Sequence, residues 1–244
     1  MALNMTLEAL LDTSILSDDP WWFYLFEGAG WTIGLALSSF LLALLIGIAI
    51  GTFRTSSNRS VRFFCEAWIE LFRNVPLIVQ IFLWYFVVPE LVPAYKAWMT
   101  ASDPIESQFL SAFLCLGLFT SSRIAEQVRA GISSIPTGLP NAAKALGFTT
   151  LEQYRYVILP MAFRLILPPL TSESMNLVKN TAVALTIGLP ELTMRANEMG
   201  ENTFEFFAAY LWATVLYIVI AIAVNRLMHW VEMRSAIPGF IAAK

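Results

Sequence analysis

Charged residues are scarce in this sequence of 244 residues, making up 14% of it, whereas hydrophobic residues make up 57%. An ordinary soluble domain carries roughly 25% charged residues. So low a charged content excludes a protein whose whole surface faces water. The two cysteines, Cys65 and Cys115, stand in apolar helical contexts. This setting predicts small buried side chains and implies neither a disulfide nor a metal framework.

The motifs of a self-sufficient enzyme are also missing from the sequence. It contains no phosphate-binding loop of the form G-x-x-x-x-G-K-[ST], and its one histidine, His229, adjoins Trp230 at the end of an apolar run. It also shows no Cys/His cluster, no nucleophile elbow and no pair of carboxylates in a soluble pocket. We therefore expect a chain that is not itself an enzyme and that binds no cofactor or metal.

Long apolar runs are what the sequence has in abundance. The uncharged runs at 31–53 and 206–225 are each long enough to cross about 30 Å of hydrocarbon as a helix. Three less uniform segments bring the prediction to about five transmembrane helices in an all-α integral membrane protein. We expect proline to kink the second span and Pro168 and Pro169 to break the fourth. The predicted spans are 31–53, 75–93, 107–130, 165–189 and 204–226.

Basic residues fall on one side of these spans. The first is Arg54, and most of the others follow the first, third and fifth spans. Because loops rich in Lys and Arg stay in the cytoplasm, we expect the N-terminus outside and the C-terminus inside. We predict an external N-terminal segment at 1–30 with a candidate interfacial helix. A transmembrane domain at 31–232 follows, with a cytoplasmic loop at 133–163 inside it, and then a cytoplasmic tail at 233–244.

The 133–163 loop holds the longest polar segment of the chain, which reads N-A-A-K-A-L-G from Asn141 to Gly147. We expect Gly147 to end a short helix in the left-handed conformation. Ala142, Ala143 and Leu146 are expected to share one small, flat face that suits a groove on another protein. Taken alone, the same pattern is also typical of an interfacial helix that rests on the bilayer.

In its sequence context, this segment resembles the signature of ABC-importer permeases, which reads approximately E-A-A-x-x-x-G, then a spacer, then I-x-L-P. The chain has V-I-L-P ending at Pro160, where we also expect a second helix to stop. Asn141 stands where the family has glutamate, which removes a charge available for docking. The resemblance implies a coupling helix that docks on a separate ATP-binding subunit through Asn141, Ala142, Ala143, Leu146, Gly147 and Pro160.

Two further stretches resemble the polar amino-acid branch of these permeases. The sequence at 70–80 is similar to E-x-F-R-[GN]-[TV]-P-L-x-V-Q, and that at 172–181 is similar to S-E-x-x-N-x-x-K-[NDE]-[TS]. Within the histidine/glutamate/aspartate branch, the likeness is to permeases of glutamate/aspartate transporters. It implies a type I ABC importer permease of the bacterial inner membrane that works by alternating access. The implied partners are a second permease in a heterodimer, an ATP-binding subunit dimer carrying ATP and Mg²⁺, and a periplasmic solute-binding protein.

Gln80, Glu173, Asn176 and Lys179 are polar side chains inside predicted spans. An unpaired charge at mid-membrane costs about 3 kcal/mol, so Glu173 and Lys179 need partners. In one interpretation they line a substrate pathway, where the cation meets the substrate carboxylate and the carboxylate meets its ammonium group. In the other they belong to a structural ion-pair network. The partners available for that network are Arg123, Glu126 and Arg129, or residues of the partner subunit.

The alternative function is an autonomous ion-coupled amino-acid carrier or channel that uses the intramembrane charges for proton transfer. Inverted repeats usually build the two halves of a self-sufficient carrier, and the sequence shows no internal repeat. The sequence therefore favours a permease subunit whose energy comes from a partner that hydrolyses ATP.

Overall fold

The structure, a computed structural model, describes residues 21–235, and every regular element in that range is a helix. The predicted all-α class is confirmed. Three of these helices are long and apolar enough to cross a membrane, or up to four spans exist if one bent pair counts as a span. The predicted N-terminal segment up to residue 20, and the predicted tail beyond residue 235, lie outside the described residues.

The helices are numbered here in chain order. They are α1 (Trp21–Phe53), α2 (Arg59–Asn74), α3 (Leu77–Phe82), α4 (Val88–Leu91), α5 (Pro93–Ala101), α6 (Pro104–Ser133), α7 (Gly138–Ala145), α8 (Thr150–Gln153), α9 (Leu159–Asn180), α10 (Leu192–Thr203) and α11 (Phe206–Ser235). Two π-helical turns, Leu83–Val87 and Tyr154–Ile158, and a 3-10 helix, Thr181–Ile187, connect some of them.

The long helices extend beyond the apolar runs that predict them. α1 begins at Trp21, inside the segment predicted to be external, so residues 21–30 form the start of this helix and not a separate interfacial one. The predicted span at 107–130 lies within α6. The fourth predicted span corresponds to α9 and the 3-10 helix that follows it, which ends at Gly188 in the left-handed conformation.

The second predicted span, 75–93, is sharply bent at its start. α2 and the segment Leu77–Leu91 meet at 101°. Pro76 has no N–H to donate, and its ring pushes the preceding residue out of the helical conformation. Val75 accordingly adopts φ −92° and ψ 129°. The kink expected in this span is therefore found at Pro76.

The prolines just before and within the fourth span do not act as the sequence predicts. Pro160 does not stop a helix and Pro168 and Pro169 do not break one, because α9 runs through all three positions. Pro168 and Pro169 lie on the exposed face of α9. Beside them, Ile166 and Leu170 are buried in the hydrophobic core. This tertiary packing holds the helix together despite the lost hydrogen bonds.

Pro89 and Pro160 each follow a π-helical turn. In each turn, the N–H of the residue just before the proline donates to the carbonyl oxygen of the first residue of the turn, Leu83 or Tyr154. A proline ring ordinarily clashes with the carbonyl one α-helical turn earlier. The wider π turn moves that carbonyl away, so the helix continues through the proline.

The chain divides into two compact units. The first unit comprises the described residues up to Ser38, together with Leu77–Cys115 and Val178–Ile222. The second unit comprises Ser39–Pro76, Leu116–Leu177 and the described residues from Ala223 onwards. The 133–163 loop belongs to the second unit. A core cluster of that unit contains Ala43, Ile124, Val128, Ile166 and Leu170.

Within the second unit, α1 approaches α6 closely through Gly47 and Gly51. A Cβ atom on Gly51 would lie 2.5 Å from the carbonyl oxygen of Ala125 and 2.6 Å from Cβ of Val128. A Cβ atom on Gly47 would lie 2.7 Å from Cβ of Ile124. Glycines separated by one helical turn allow the backbones of two membrane helices to touch. This contact fixes the position of α6, which leads into the 133–163 loop.

Candidate functional site

The C-terminal end of α7 is fixed by a pair of backbone hydrogen bonds. The N–H of Phe148 donates to the carbonyl of Ala143 over 3.1 Å, and the N–H of Gly147 donates to the carbonyl of Lys144 over 3.0 Å. Together they form a Schellman motif, which needs a left-handed residue just after the helix. Gly147 fills that position with φ 86°. The left-handed glycine predicted from the sequence is therefore present.

The exposed face of α7 differs from the predicted one at one residue. Leu146 is 78% exposed and Ala142 is also exposed, but Ala143 is only 5% exposed. The prediction that Ala142, Ala143 and Leu146 share one exposed face is wrong for Ala143. Ala142 and Leu146 are one helical turn apart and so lie on one side. Ala143 instead faces the interior. Asn141 is exposed.

A capping box fixes the start of α8. The Thr149 hydroxyl accepts a hydrogen bond from the N–H of Glu152 over 3.3 Å, and the Glu152 carboxylate accepts one from the N–H of Thr149 over 2.8 Å. The Thr149 hydroxyl also donates to this carboxylate over 2.7 Å. These bonds, the backbone one foremost, lower the pKa of Glu152. The loop therefore has a defined shape on both sides of Gly147.

The π-helical turn after α8 attaches the loop to neighbouring parts of the second unit. Tyr154 packs against a small apolar cluster of Ile135, Ile158 and Ala162. Its hydroxyl lies 2.9 Å from the Oγ1 atom of Thr55, in the turn after α1. Pro160, the last residue of the predicted signature, is exposed on α9. The loop is thus held by side-chain contacts as well as by its covalent connections.

An ion-pair network lies between α1, α2 and α6 in the second unit, centred on Glu126. The Arg54 guanidinium donates to one carboxylate oxygen of Glu126, and Arg129 Nε donates to the other over 3.2 Å. Arg73 approaches Glu126 to 3.6 Å, and Glu66 lies 3.8 Å from Arg54. Part of the network borders a cleft of about 240 Å³. Pairing of this kind offsets the cost of placing charges near an apolar core.

Sequence reasoning found only part of this network. Glu126 and Arg129 were predicted as partners for Glu173 and Lys179. The pairing of Glu126 with Arg54 and Arg73, and of Arg54 with Glu66, was not predicted. The available signal was a carboxylate late in the third span, together with arginines after the first span. α2, which brings Arg73 to Glu126 and Glu66 to Arg54, is too highly charged to be noticed as a membrane segment.

The polar residues of the predicted pathway differ in their burial and in the partners that they contact. Glu173 is 13% exposed at its side chain, and its carboxylate lies 3.8 Å from an Arg123 nitrogen. Asn176 is half-buried and Lys179 is exposed, both on α9. Gln80 is buried in α3. Glu173 therefore has an ion-pair partner in Arg123, which is one of the partners that the sequence left open.

Comparison with known proteins gives matches over almost the whole chain. Residues 22–236 match the family described as binding-protein-dependent transport system inner membrane component. The chain is 44% identical over 223 residues to the glutamate/aspartate import permease protein GltJ of Escherichia coli strain K12, covering 91% of each protein. It is 28% identical to the glutamate/aspartate import permease protein GltK of Escherichia coli O6:H1, covering 87% of this chain and 94% of that one.

A solved structure shows the same fold. The chain superposes with a TM-score of 0.74 and 26% identity on a protein from the crystal structure of an amino acid ABC transporter with histidines. The match covers 90% of this chain and 98% of the other. The type I fold expected from the sequence resemblance is confirmed.

Proposed function

The chain belongs to the family of binding-protein-dependent transport system inner membrane components, and from this premise we propose that it imports glutamate and aspartate. It is a multi-pass inner-membrane permease of the amino-acid ABC importer class, as the sequence predicted. Its 44% identity to GltJ supports the choice of glutamate and aspartate within that class. In this proposal, the substrate crosses from the periplasm to the cytoplasm.

The proposed assembly supplies what this chain lacks. Its relatives are permease subunits, so ATP and Mg²⁺ are bound by a separate dimer of ATP-binding subunits. A second permease forms a heterodimer with this chain, and a periplasmic solute-binding protein delivers the amino acid. When the ATP-binding subunits close, the 133–163 loop moves with them and the spans tilt to expose the substrate site alternately to each side.

The observation that carries the proposed coupling role is the exposure of Leu146 on a helix of fixed geometry. Leu146 is 78% exposed, and Phe148 and Leu151 in the same short segment are exposed as well. Exposed apolar side chains gathered in one place mark a surface that a partner covers. Asn141, Ala142, Leu146 and Gly147 would contact the ATP-binding subunit. Ala143 would support α7 from behind, and Pro160 would lie where the loop joins α9. Since Asn141 is uncharged, docking here would depend on shape more than on charge.

Lys179 is proposed to meet the substrate carboxylate, since Glu173 is already paired with Arg123 and Lys179 is exposed on α9. Lys179→Met removes this charge, and a hydrogen bond to a charged group is worth about 1.5–3 kcal/mol. We expect kcat/KM for uptake of labelled glutamate into proteoliposomes containing the full complex to fall at least about tenfold. Lys179→Arg, which keeps the charge, is expected to retain more activity. Unaltered KM and rate in Lys179→Met would dismiss a substrate role.

The substrate itself is tested by competition in the same vesicles. Excess unlabelled aspartate is expected to block uptake of labelled glutamate. Excess glutamine or arginine is expected to leave that uptake unchanged. Glutamine lacks the side-chain charge and arginine has the opposite one, so neither suits a site built for a second carboxylate. Equal competition by aspartate, glutamine and arginine would refute the glutamate/aspartate assignment while leaving the permease class unaffected.

A further inference from the structure

One hydrogen bond joins the 133–163 loop to a distant part of the chain. The Tyr154 hydroxyl lies 2.9 Å from Thr55 Oγ1. The Thr55 hydroxyl itself donates to the carbonyl oxygen of Thr52 over 2.6 Å. A hydroxyl group has a single hydrogen, so Thr55 accepts and Tyr154 donates. The bond therefore depends on the phenolic O–H of Tyr154.

Thr55 is held firmly on its own side of this bond. Its N–H donates to the carbonyl of Thr52 over 3.1 Å, in the turn that follows α1. The neighbouring residue, Arg54, binds Glu126 of α6 and lies 3.8 Å from Glu66 of α2. Tyr154 thus connects the loop to the residue beside the main ion pair between α1 and α6. Within the second unit, the loop is therefore linked to α6 and α2 through Thr55 and the adjacent Arg54.

The π-helical turn gives Tyr154 its position. The N–H of Leu159 donates to the carbonyl of Tyr154, which closes the wide turn. The Tyr154 ring packs against the cluster of Ile135, Ile158 and Ala162, which restrains it without using its hydroxyl. A single wide turn changes the direction of a side chain relative to the helix that follows. Removal of the hydroxyl alone would leave this packing in place.

A segment attached only at its two ends can rotate about the line that joins them. The loop is attached covalently to α6 and α9, and its hydrogen bond to Thr55, in the turn after α1, is a third attachment. Resting on the proposed function, we propose that Tyr154 is a positioning residue for energy coupling. Its hydroxyl makes the loop and α1 move as one body and so sets how much substrate is transported per ATP hydrolysed.

The test compares Tyr154→Phe with wild type in proteoliposomes that contain the complete transporter and its binding protein. Labelled glutamate uptake and phosphate release are measured in the same vesicles. We expect the amount of glutamate transported per ATP to fall about threefold to tenfold, the range that loss of one neutral hydrogen bond gives. Retention of the ATP-binding subunit on the permease is expected to be unchanged, because the docking face is intact.

Tyr156→Phe is the matched control. Tyr156 lies in the same turn, is 61% exposed, and its ring contacts the Arg155 guanidinium. This variant is expected to keep the wild-type ratio. Thr55→Val should lower the amount of glutamate transported per ATP as much as Tyr154→Phe does, and combining the two changes should lower it no further. Thr55→Ser, which keeps the hydroxyl, should keep the wild-type value.

The outcomes separate the two levels of the proposal. If wild type transports glutamate with ATP hydrolysis and Tyr154→Phe has the same ratio as Tyr156→Phe, the inference about Tyr154 is overturned and the proposed function stands. If wild type shows no ATP-dependent uptake of any amino acid, the proposed function fails and the inference fails with it. A lower ratio in both Tyr154→Phe and Thr55→Val, with Tyr156→Phe normal, supports the positioning role.

Discussion

Gly51→Val is expected to remove most of the folded protein from detergent extracts. The new Cβ atom would lie 2.5 Å from the carbonyl oxygen of Ala125 and 2.6 Å from Cβ of Val128. A backbone carbonyl in the middle of a helix cannot move aside as a flexible side chain can. Overpacking of this kind costs about 3 kcal/mol, a large share of the stability of a typical domain. Fluorescence-detected size-exclusion chromatography and a thermal melt measure the loss.

Gly34→Val is the matched control for this prediction. Gly34 lies on the same helix, α1, and a Cβ atom there would meet nothing within 4 Å. The two variants share the same change in helix propensity, so a difference between them reports the helix contact alone. Equal melting temperatures for Gly51→Val and Gly34→Val would show that α1 and α6 do not touch at this position.

Gly147→Val is expected to weaken binding of the ATP-binding subunit about tenfold without unfolding the permease. A left-handed backbone costs a residue with a Cβ atom about 1–2 kcal/mol, which corresponds to a factor of about 5–30 in population. Valine, being branched at Cβ, is especially poorly suited to φ 86°. The Schellman motif would open and Leu146 would leave its position. The measurement is the amount of ATP-binding subunit retained on tagged permease as the concentration of that subunit is varied.

Gly138→Val controls for the added bulk in the same helix. Gly138 begins α7, does not have positive φ, and has open space around it. A Cβ atom on Gly147 would also meet nothing within 4 Å, so the two sites differ mainly in backbone conformation. If both variants retain the ATP-binding subunit equally well, the conformation at Gly147 does not matter for docking.

The long helices and the C-terminal end of α7 are the parts that the sequence predicts well. About 20 apolar residues in a row have few outcomes other than a span, and α1 and α11 follow directly from such runs. Gly147 is similarly constrained, because a glycine that follows a short alanine-rich helix commonly adopts positive φ. In both cases, local physical chemistry decides the structure.

α2 is harder to predict as part of a membrane domain because only one of its faces is apolar and the rest is charged. Cys65, Ile69 and Phe72 form its buried face, while several arginines and glutamates lie elsewhere on it. The charge rules out an obvious span, although the apolar residues follow the helical period. The sequence does carry an N-cap signal at Asn58. Its side chain accepts hydrogen bonds from the backbone N–H groups of Ser60 and Val61.

Features that depend on packing could not be predicted from the sequence. Whether Ala143 faces inwards depends on the contacts of the whole loop, which α7 alone does not reveal. The helix continues through Pro168 because residues flanking the prolines are buried in the core. The pairing of Glu173 with Arg123 joins α9 to α6, and the sequence offered more than one partner of suitable charge.

The central claim is that α7 lies on the cytoplasmic side of the membrane and is covered there by an ATP-binding subunit. Its most direct test is labelling of Lys144→Cys with a membrane-impermeant maleimide, which the two native cysteines disturb little because both are buried. We predict rapid labelling in inside-out vesicles, protection when the ATP-binding subunit is added, and none in right-side-out vesicles. Labelling from the outside in intact right-side-out vesicles would contradict the account.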